Sequence, residues 1–341
     1  SLPDIKRNYD KLNVEFDLWK GESDVQYLIP GMVEKFKEEG FAHESEGALV
    51  VDVKEETDTK EIPPCIILKS DGASLYSTTD LATIEERMEK YHPDTLIYIT
   101  DKRQAMHFEQ VFRCARKTGL VEPETRLVHI GYGTVNGSDG KPFKTREGGV
   151  PRLEKLIEEI DDEMYRKIRE SRRELSDEEA RKTADIVGLA ALKYGDLSNQ
   201  AAKDYVFDVD RFTSFEGDTG PYILYTIVRI KSILEKYVQQ GGSLEGLSIL
   251  PAQNPDEKAL MLEISGFQSM IAGAEKELAP NRVCAYIYDL SNAFNRFYHE
   301  TKIIADEDET RKAGLIALLM LTKGMLEDCI ELLGFGAPDR M

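Results

Sequence analysis

The stretch LYSTTDLATI, residues 75–84, decides how the first half of the chain is organised. Leu75 and Tyr76 form a strand-like end, three hydroxyl residues and Asp80 follow, and a helical pattern of apolar residues then begins. In open α/β sheets, ligands bind outside the carboxyl ends of the strands. A tyrosine and a carboxylate at such a junction therefore predict a pocket for a small cationic ligand.

Strand-like and helical segments alternate downstream of this junction. Residues 96–100 (LIYIT) and 126–130 (RLVHI) are rich in β-branched residues, whereas residues 78–91 and 104–118 have helical periodicity. Residues 75–130 therefore predict a β–α–β–α–β unit with a parallel, Rossmann-type sheet.

Upstream of the junction, a segment at about residues 23–73 is predicted to be an inserted α+β segment. A helix over 24–39 is followed by strands at 48–53 (ALVVDV) and 65–70 (CIILKS) in antiparallel order. A further strand is predicted at 14–17 (VEFD).

The second half of the chain has a different pattern, because long amphipathic segments replace the strands. Ser176, with Glu179 three residues later, is a strong signal for the start of a helix. We expect an α/β part over 1–150 and an all-α bundle over 151–341. The predicted helices of the bundle are 151–172, 176–193, 219–240, 255–278, 281–299 and 307–333.

The composition limits the classes of function. The 341 residues carry a net charge of −19, which favours a soluble protein and argues against DNA or a broad nucleic-acid footprint, although a local RNA-binding patch stays open. The four cysteines form neither a CxxC motif nor a Cys/His cluster, so we expect a reducing, cytoplasmic location and no protein-bound metal. No apolar run is long enough to span a membrane, and the stretch SLPDIKRNYD (1–10) lacks the apolar run of a signal peptide, so we expect neither feature.

Polar residues recur at three predicted strand-to-helix junctions. Carboxyl ends of parallel strands share one edge, so these side chains are expected to converge. A carboxylate can hold a guanidinium through paired charge-assisted hydrogen bonds, and a Lys/Arg loop beside glycines suits phosphates. The residues are Tyr76 and Asp80, then Asp101, Gln104 and His107, and finally His129 with Lys141, Lys144 and Arg146.

Each of these residues also has a purely structural explanation. Asp80 in a first helical turn favours the helix dipole without any ligand. Tyr76 can belong to the core, His129 can be a structural hydrogen-bonding group, and residues 141–149 (KPFKTREGG) can be a solvated basic loop.

Taken together, four long segments resemble the class I arginyl-tRNA synthetases in order and in separation. The resemblance implies that arginine and ATP form an arginyl-adenylate, with Mg²⁺ accompanying ATP and no resident cofactor, and that arginine then passes to its tRNA. The segments are 69–84 (KSDGASLYSTTDLATI), 98–112 (YITDKRQAMHFEQVF), 127–148 (LVHIGYGTVNGSDGKPFKTREG) and 214–230 (SFEGDTGPYILYTIVRI).

The resemblance also implies roles for individual residues. In the catalytic part, the arginine pocket corresponds to Tyr76, Asp80 and Gln104, and the ATP side corresponds to His107, His129, Gly131, Gly133 and the backbone around Val135. The loop with Lys141, Lys144 and Arg146 stands where the family's second signature lies, and which of the three contacts the phosphates stays open.

The helical half resembles the family's anticodon-binding domain. Tyr222, Tyr225 and Arg229 correspond to its anticodon-loop contacts, and Met341 to its last residue. An aromatic ring suits this role because an unpaired base can stack on it. The alternative is that both tyrosines are core residues at helical spacing.

The family's N-terminal domain and first catalytic half have no counterpart in these residues. HIGY (129–132) has Tyr132 where the His-Ile-Gly-His signature has its second histidine. We therefore expect a C-terminal fragment that is inactive alone. The alternative is a stand-alone, non-catalytic RNA- or protein-binding module derived from a synthetase, but such a module would not need Tyr76, Asp80 and Gln104.

Overall fold

The computed structural model describes residues 2–137, 139–142 and 152–341, and these form two compact units. The α/β unit is Phe16–Gly133, and the helical unit contains the described residues up to Glu15 and from Thr134 onward. The chain thus changes unit at Gly133 and not at the predicted 150/151 boundary. The division into functional domains at that boundary stays a prediction.

Helix α1 (Leu2–Lys11) belongs to the helical unit although it comes first in the chain. The Nζ of Lys193 donates to the main-chain oxygens of Leu12 (2.7 Å) and Gly334 (2.9 Å). The side-chain amide of Asn13 also donates to the Gly334 oxygen, at 3.2 Å. These bonds attach the end of α1 to a segment far along the chain.

The α/β unit begins with the predicted helix and antiparallel strands. The predicted strand at 14–17 is wrong, since those residues form no regular element and are mostly exposed. Strand β2 pairs with both of its neighbours in antiparallel order. The elements are α2 (Ile29–Glu38), β1 (Ala42–Ser45), β2 (Ala48–Val51) and β3 (Cys65–Leu68), preceded by a 3₁₀ turn at Glu22–Val25.

A two-stranded parallel sheet follows, formed by β4 and β5, with Tyr98 opposite His129. Strand β4 buries Leu96 and Tyr98 on one face and exposes Ile97 and Ile99 on the other. The elements are α3 (Tyr76–Tyr91), β4 (Thr95–Asp101), a 3₁₀ turn (Lys102–Gln104), α4 (Ala105–Lys117) and β5 (Arg126–Tyr132). The predicted parallel sheet is therefore present.

The predicted first parallel strand, ending at Leu75 and Tyr76, is wrong. The chain turns back after β3, where Gly72 has a positive φ of 81° and Lys69 N–H donates to the Ala73 oxygen at 2.9 Å. Leu75 is extended but serves as the N-cap of α3, so Tyr76 is already helical. Among the described residues, two strand ends and not three belong to this parallel sheet: β4 leads into α4, and β5 leads into the β6 segment.

The helical unit is an all-α bundle, as predicted, with one small parallel strand pair. Ser176 caps α6 and exchanges hydrogen bonds with Glu179, which confirms the sequence signal. The single helix predicted over 255–278 is two helices that meet at Gly266. The elements are β6 (Val135–Asn136), α5 (Leu153–Ser171), α6 (Asp177–Leu197), β7 (Tyr205–Val206), α7 (Val209–Phe212), α8 (Gly220–Gln239), α9 (Pro255–Ser265), α10 (Phe267–Glu277), α11 (Pro280–Glu300) and α12 (Glu309–Leu332).

The core of the bundle runs along α6, α8, α11 and α12. Fully buried Tyr194, Phe294 and Phe297 lie in this core, which explains the strong apolar periodicity of these helices. Within the ranges that the structure describes, every helix is too short or too polar to cross a membrane.

Candidate functional site

The three hydroxyl residues after Tyr76 fix the start of α3. Thr78 Oγ1 donates to the Ile67 oxygen at 2.5 Å and accepts from the Leu75 N–H at 2.9 Å. Ser77 Oγ donates to the Ile66 oxygen at 2.6 Å. The hydroxyls therefore tie the first turn of the helix to strand β3, and this holds the side chains of that turn in a defined position.

Asp80, in the second turn of α3, lies against His107 in the first turn of α4. The distance from Asp80 Oδ2 to His107 Nε2 is 2.6 Å, and about a quarter of each side chain is exposed (28% and 26%). An ionised carboxylate only accepts hydrogen bonds, so Nε2 carries the proton in this pair. Asp80 Oδ1 stays available for a further donor.

Tyr76 and Gln104 stand one helical turn ahead of these two residues. Side chains three or four positions apart share a helix face, so Tyr76 adjoins Asp80 and Gln104 adjoins His107. Tyr76 is 71% exposed and Gln104 is exposed as well. The structure thus brings the three predicted arginine-pocket residues to the adjacent N-terminal ends of α3 and α4. Tyr76 is not a core residue.

His129 occupies the middle of β5, beside the same helix. Its Nε2 lies 2.8 Å from Thr100 Oγ1, and its ring stacks on Phe108 with centroids 4.7 Å apart. Burial, and then the neighbouring His107, lower the pKa of the His129 imidazole. A neutral imidazole at pH 7 fits a residue that donates or accepts hydrogen bonds without carrying charge.

Gly131 lies near the carboxyl end of β5, where only glycine fits. A Cβ atom at this position would stand 2.7 Å from the Cα of Lys102, a contact that real Cβ atoms essentially never make. The close approach brings the backbone after β4 against the backbone of β5. Gly133 is half-buried and follows this strand directly.

Two of the other residues predicted for ATP, Val135 and Lys141, belong to the helical unit and not to the α/β unit. Val135 pairs with Tyr205 in the small β6–β7 sheet of the helical unit. Lys141 is exposed, and its N–H donates to Asp139 Oδ1 at 3.0 Å. Lys144 and Arg146 lie outside the described residues.

A groove of about 990 Å³ in the helical unit contains all the residues predicted for the anticodon. Tyr225 is 41% exposed, so it is not a core residue, whereas Tyr222 is half-buried. The guanidinium of Arg229 lies over the ring of Tyr225 (4.7 Å) and over that of Tyr298 (5.0 Å). The groove is lined by Tyr222, Tyr225, Arg229, Asn295, His299 and Met341, among others.

Met341 is held in this groove through its main chain. Arg172, which ends α5, donates from Nε (2.8 Å) and Nη2 (2.5 Å) to the Met341 oxygen. The residue is 8% exposed. Two bonds from one planar guanidinium fix the direction of the carbonyl as well as its position.

Sequence reasoning missed the polar side chains that order the groove. Asn295 Oδ1 accepts from Arg229 Nη1 at 2.6 Å, and Asn295 Nδ2 donates to Tyr222 Oη at 2.9 Å and to Thr226 Oγ1 at 3.2 Å. Tyr222 Oη donates to Asn292 Oδ1 at 2.7 Å. Two asparagines one turn apart inside a long helix were an available signal, because asparagine is a poor helix former.

The described residues offer no group of three or more His, Cys, Asp or Glu side chains that could hold a metal ion. The four cysteines are free and buried.

Two protein-family models match the chain. Residues 2–209 match the family described as tRNA synthetases class I (R), catalytic domain. Residues 223–341 match the DALR anticodon binding domain. The first match covers more than half of the chain, and the second contains the groove residues Tyr225, Arg229, Asn295, His299 and Met341, whereas Tyr222 lies just before it.

Curated relatives agree with these models. An arginine–tRNA ligase of Agathobacter rectalis is 65% identical over 348 residues, and one of Alkaliphilus oremlandii is 53% identical over 341. One of Francisella tularensis is 41% identical over 345 residues. Each match takes in 100% of this chain and 58% of the relative, so the chain spans little more than half of the relatives' length.

Solved structures show the same fold. The arginyl-tRNA synthetase of Plasmodium falciparum superimposes with a TM-score of 0.85 at 24% identity, over 100% of this chain and 57% of that one. The Thermus thermophilus enzyme gives 0.85 at 22% identity, over 98% and 62%. At these identities the likeness concerns the fold alone.

Proposed function

The chain belongs to the class I arginyl-tRNA synthetase family, and from this premise we propose that the complete enzyme attaches arginine to its tRNA at the expense of ATP. This chain would supply the guanidinium-binding residues and the anticodon-binding groove. Its four free, buried cysteines suit a reducing compartment, so we assign the reaction to the cytoplasm.

The observation that carries the proposal is the pairing of Asp80 with His107 between Tyr76 and Gln104. A guanidinium presents its N–H donors in a planar fork that matches a carboxylate. With one oxygen of Asp80 already oriented by His107, the other can accept from the arginine side chain. The phenol of Tyr76 and the amide of Gln104 flank this position and can complete the recognition.

The chemistry would proceed in two displacements. The arginine carboxylate attacks the α-phosphorus of ATP and pyrophosphate leaves, and then a ribose hydroxyl of the tRNA attacks the arginyl carbonyl and AMP leaves. We assign the nucleotide side to His129, Gly131, Gly133 and Val135. One or more of Lys141, Lys144 and Arg146 would contact the phosphates, with Mg²⁺ bound to the nucleotide.

We further propose that residues 1–341 alone do not activate arginine. The His-Ile-Gly-His signature of the family is absent from these residues, and His129 lies within β5 rather than at a helix start. Ile97 (40%) and Ile99 (66%) are exposed on a parallel sheet, a type whose faces are normally both covered. This exposure supports the view that further chain covers the sheet in the complete enzyme.

One assay tests both statements. Arginine-dependent exchange of pyrophosphate into ATP should be measured with tRNA present, for the complete enzyme and for residues 1–341. We expect exchange only from the complete enzyme. No exchange from either protein would favour the non-catalytic binding module. Exchange from residues 1–341 would contradict the proposal that these residues need the family's first catalytic half to activate arginine.

A further inference from the structure

We propose that Asn295 is a positioning residue that sets the hydrogen-bond polarity of the anticodon groove. Through Asn295, Tyr222 would offer an unpaired RNA base only an acceptor, beside Arg229, which by its own chemistry offers only donors. The inference rests on the proposed function of the groove. It adds a residue that acts on specificity without touching the RNA.

The argument starts from Arg229, whose chemistry allows no alternative. A guanidinium has five N–H donors and no acceptor. The atom of Asn295 that lies 2.6 Å from Arg229 Nη1 must therefore be the amide oxygen. This contact fixes which side of the amide is oxygen and which is nitrogen.

The amide nitrogen then faces Tyr222 and Thr226, and its two hydrogens are both used. One goes to Tyr222 Oη at 2.9 Å and the other to Thr226 Oγ1 at 3.2 Å. The Thr226 hydroxyl is fully buried and donates its own hydrogen to the Tyr222 main-chain oxygen at 3.1 Å. If the Asn295 amide were flipped, its nitrogen would face Arg229 and its oxygen would face Thr226, and buried hydrogen-bonding groups would be left unpaired.

The orientation of the amide determines that of the phenol. Tyr222 Oη accepts from Asn295, so its single hydrogen points to Asn292 Oδ1 at 2.7 Å. What remains at the phenol oxygen is capacity to accept. Toward the groove, Tyr222 is therefore an acceptor only.

Arg229 supplies the opposite half of the recognition. Its guanidinium lies over the rings of Tyr225 and Tyr298, and Nη1 donates to Asn295. Its other N–H groups remain as donors at a half-buried position on the groove. The occupant that fits is an unpaired nucleobase that stacks on Tyr225 and presents a donor and an acceptor side by side.

The test uses two charge-matched variants of the complete enzyme. In Asn295→Asp, the oxygen facing Arg229 is kept but the donor to Tyr222 is lost, so the phenol hydrogen is no longer confined to Asn292 Oδ1 and can also be donated to the base. Asn292→Asp adds the same charge one turn away and still accepts from Tyr222. The measurement is the ratio of Kd values for tRNA transcripts with substituted and with unchanged anticodons.

We expect Asn295→Asp to lower this ratio about tenfold relative to Asn292→Asp, the effect of about one hydrogen bond. In a Tyr222→Phe background, the effect of Asn295→Asp should shrink, because the group it acts through is gone. A purely structural role would weaken all transcripts equally and give the same change in both backgrounds, which would overturn the inference.

Two further measurements keep the outcomes separate. If Asn295→Asp does not fold, Asn295→Ser gives the same readout, since its short hydroxyl cannot join Arg229 to Tyr222. If the wild-type enzyme does not discriminate between anticodons, the proposed function of the groove fails. If it discriminates and Asn295→Asp equals Asn292→Asp, only the role of Asn295 fails.

Discussion

Asp80 and Asn295 each join two neighbouring helices, yet they leave different capacity for a ligand. His107 occupies one carboxylate oxygen of Asp80, and the other oxygen stays available at a site that is about a quarter exposed. Asn295 uses its oxygen and both of its hydrogens within the protein. This difference fits the two proposed roles, in which Asp80 would contact a ligand directly and Asn295 would act by orienting Tyr222 and Arg229.

The largest effect is expected at Asp80, where a charge would be removed from beneath the substrate guanidinium. Asp80→Ala in the complete enzyme should raise the KM for arginine roughly 10²–10³-fold, since breaking a buried ion pair costs about 3–5 kcal/mol. Asp80→Asn should be nearly as harmful, because the charge is lost although the shape is kept. The KM follows from aminoacylation rates over a range of arginine concentrations.

Asp94→Asn is the matched control, because this exposed acid lies just before β4, at the opposite end of the strand. It should leave the KM for arginine unchanged. An unchanged KM for arginine in the Asp80 variants would contradict the assignment of the arginine pocket to Asp80.

A smaller effect is expected in the groove, where an exposed ring and not a charge meets the ligand. Tyr225→Ala should weaken tRNA binding by about 1–3 kcal/mol, the usual contribution of one stacked base. Tyr225→Phe should bind almost as well as the wild type, since stacking does not need the hydroxyl. Titration with tRNA gives the affinities, and equal loss in both variants would contradict a stacking role.

Substitutions of His107 test whether this residue acts in the arginine pocket or on the ATP side. His107→Phe keeps a ring but removes the donor to Asp80, so the KM for arginine should rise about tenfold, as expected for a hydrogen bond to a charged group. His107→Gln retains an N–H donor and should recover most of that loss. A rise in the KM for ATP alone would instead support the nucleotide-side role implied by family resemblance.

The smallest effect concerns Asp161, a carboxylate whose pKa is raised although Lys11 and Arg181 lie near it. Asp161 on α5 lines a cavity of about 350 Å³ with Asp185 and Lys11, and Asp162 and Arg181 are nearby. Burial, and then the charge of Asp185, raise the pKa of Asp161 to about 7. A raised folded-state pKa means that the folded protein holds this proton more tightly than the unfolded chain does.

Stability should therefore fall as the pH rises from about 4 through 7, the interval between the unfolded and folded pKa values of this acid. Asp161→Asn should stabilise the helical unit above pH 7 by about 1–2 kcal/mol, after allowance for solvent screening, and should have little effect near pH 4. Urea unfolding at both pH values measures this. A constant difference at all pH values would show that Asp161 does not titrate in this way.

Much of the fold follows from local patterns that tertiary contacts do not override. The helices at 78–91 and 104–118 and the capped start at Ser176 were predictable because periodicity and capping act within one or two turns. The prediction of a first parallel strand ending at Leu75 and Tyr76 was wrong because a turn at Gly72 sends Leu75 into a helix cap. The neighbour with which a strand pairs depends on residues far away in the sequence, and a short apolar run gives no information about it.

The candidate site was predictable to a different extent in the two units. Tyr76, Asp80 and Gln104 were selected from the sequence because a predicted strand-to-helix junction and a long family resemblance both point to them, and their role stays a prediction. The pairing of Asp80 with His107 was not found, since nothing local links two residues on different helices. Asn295 was missed for the same reason, as its partners Tyr222 and Arg229 lie on another helix.

The bonds that attach the end of α1 to Gly334 impose an order on folding during synthesis. Asn13 and Gly334 are separated by 321 residues, and Lys193 also joins both segments. At about 5–20 residues per second, a ribosome needs roughly 15–60 s to make the intervening chain. Helix α1 therefore emerges long before the residues it docks on, and during that time its exposed Leu2 and Ile5 are available to chaperones.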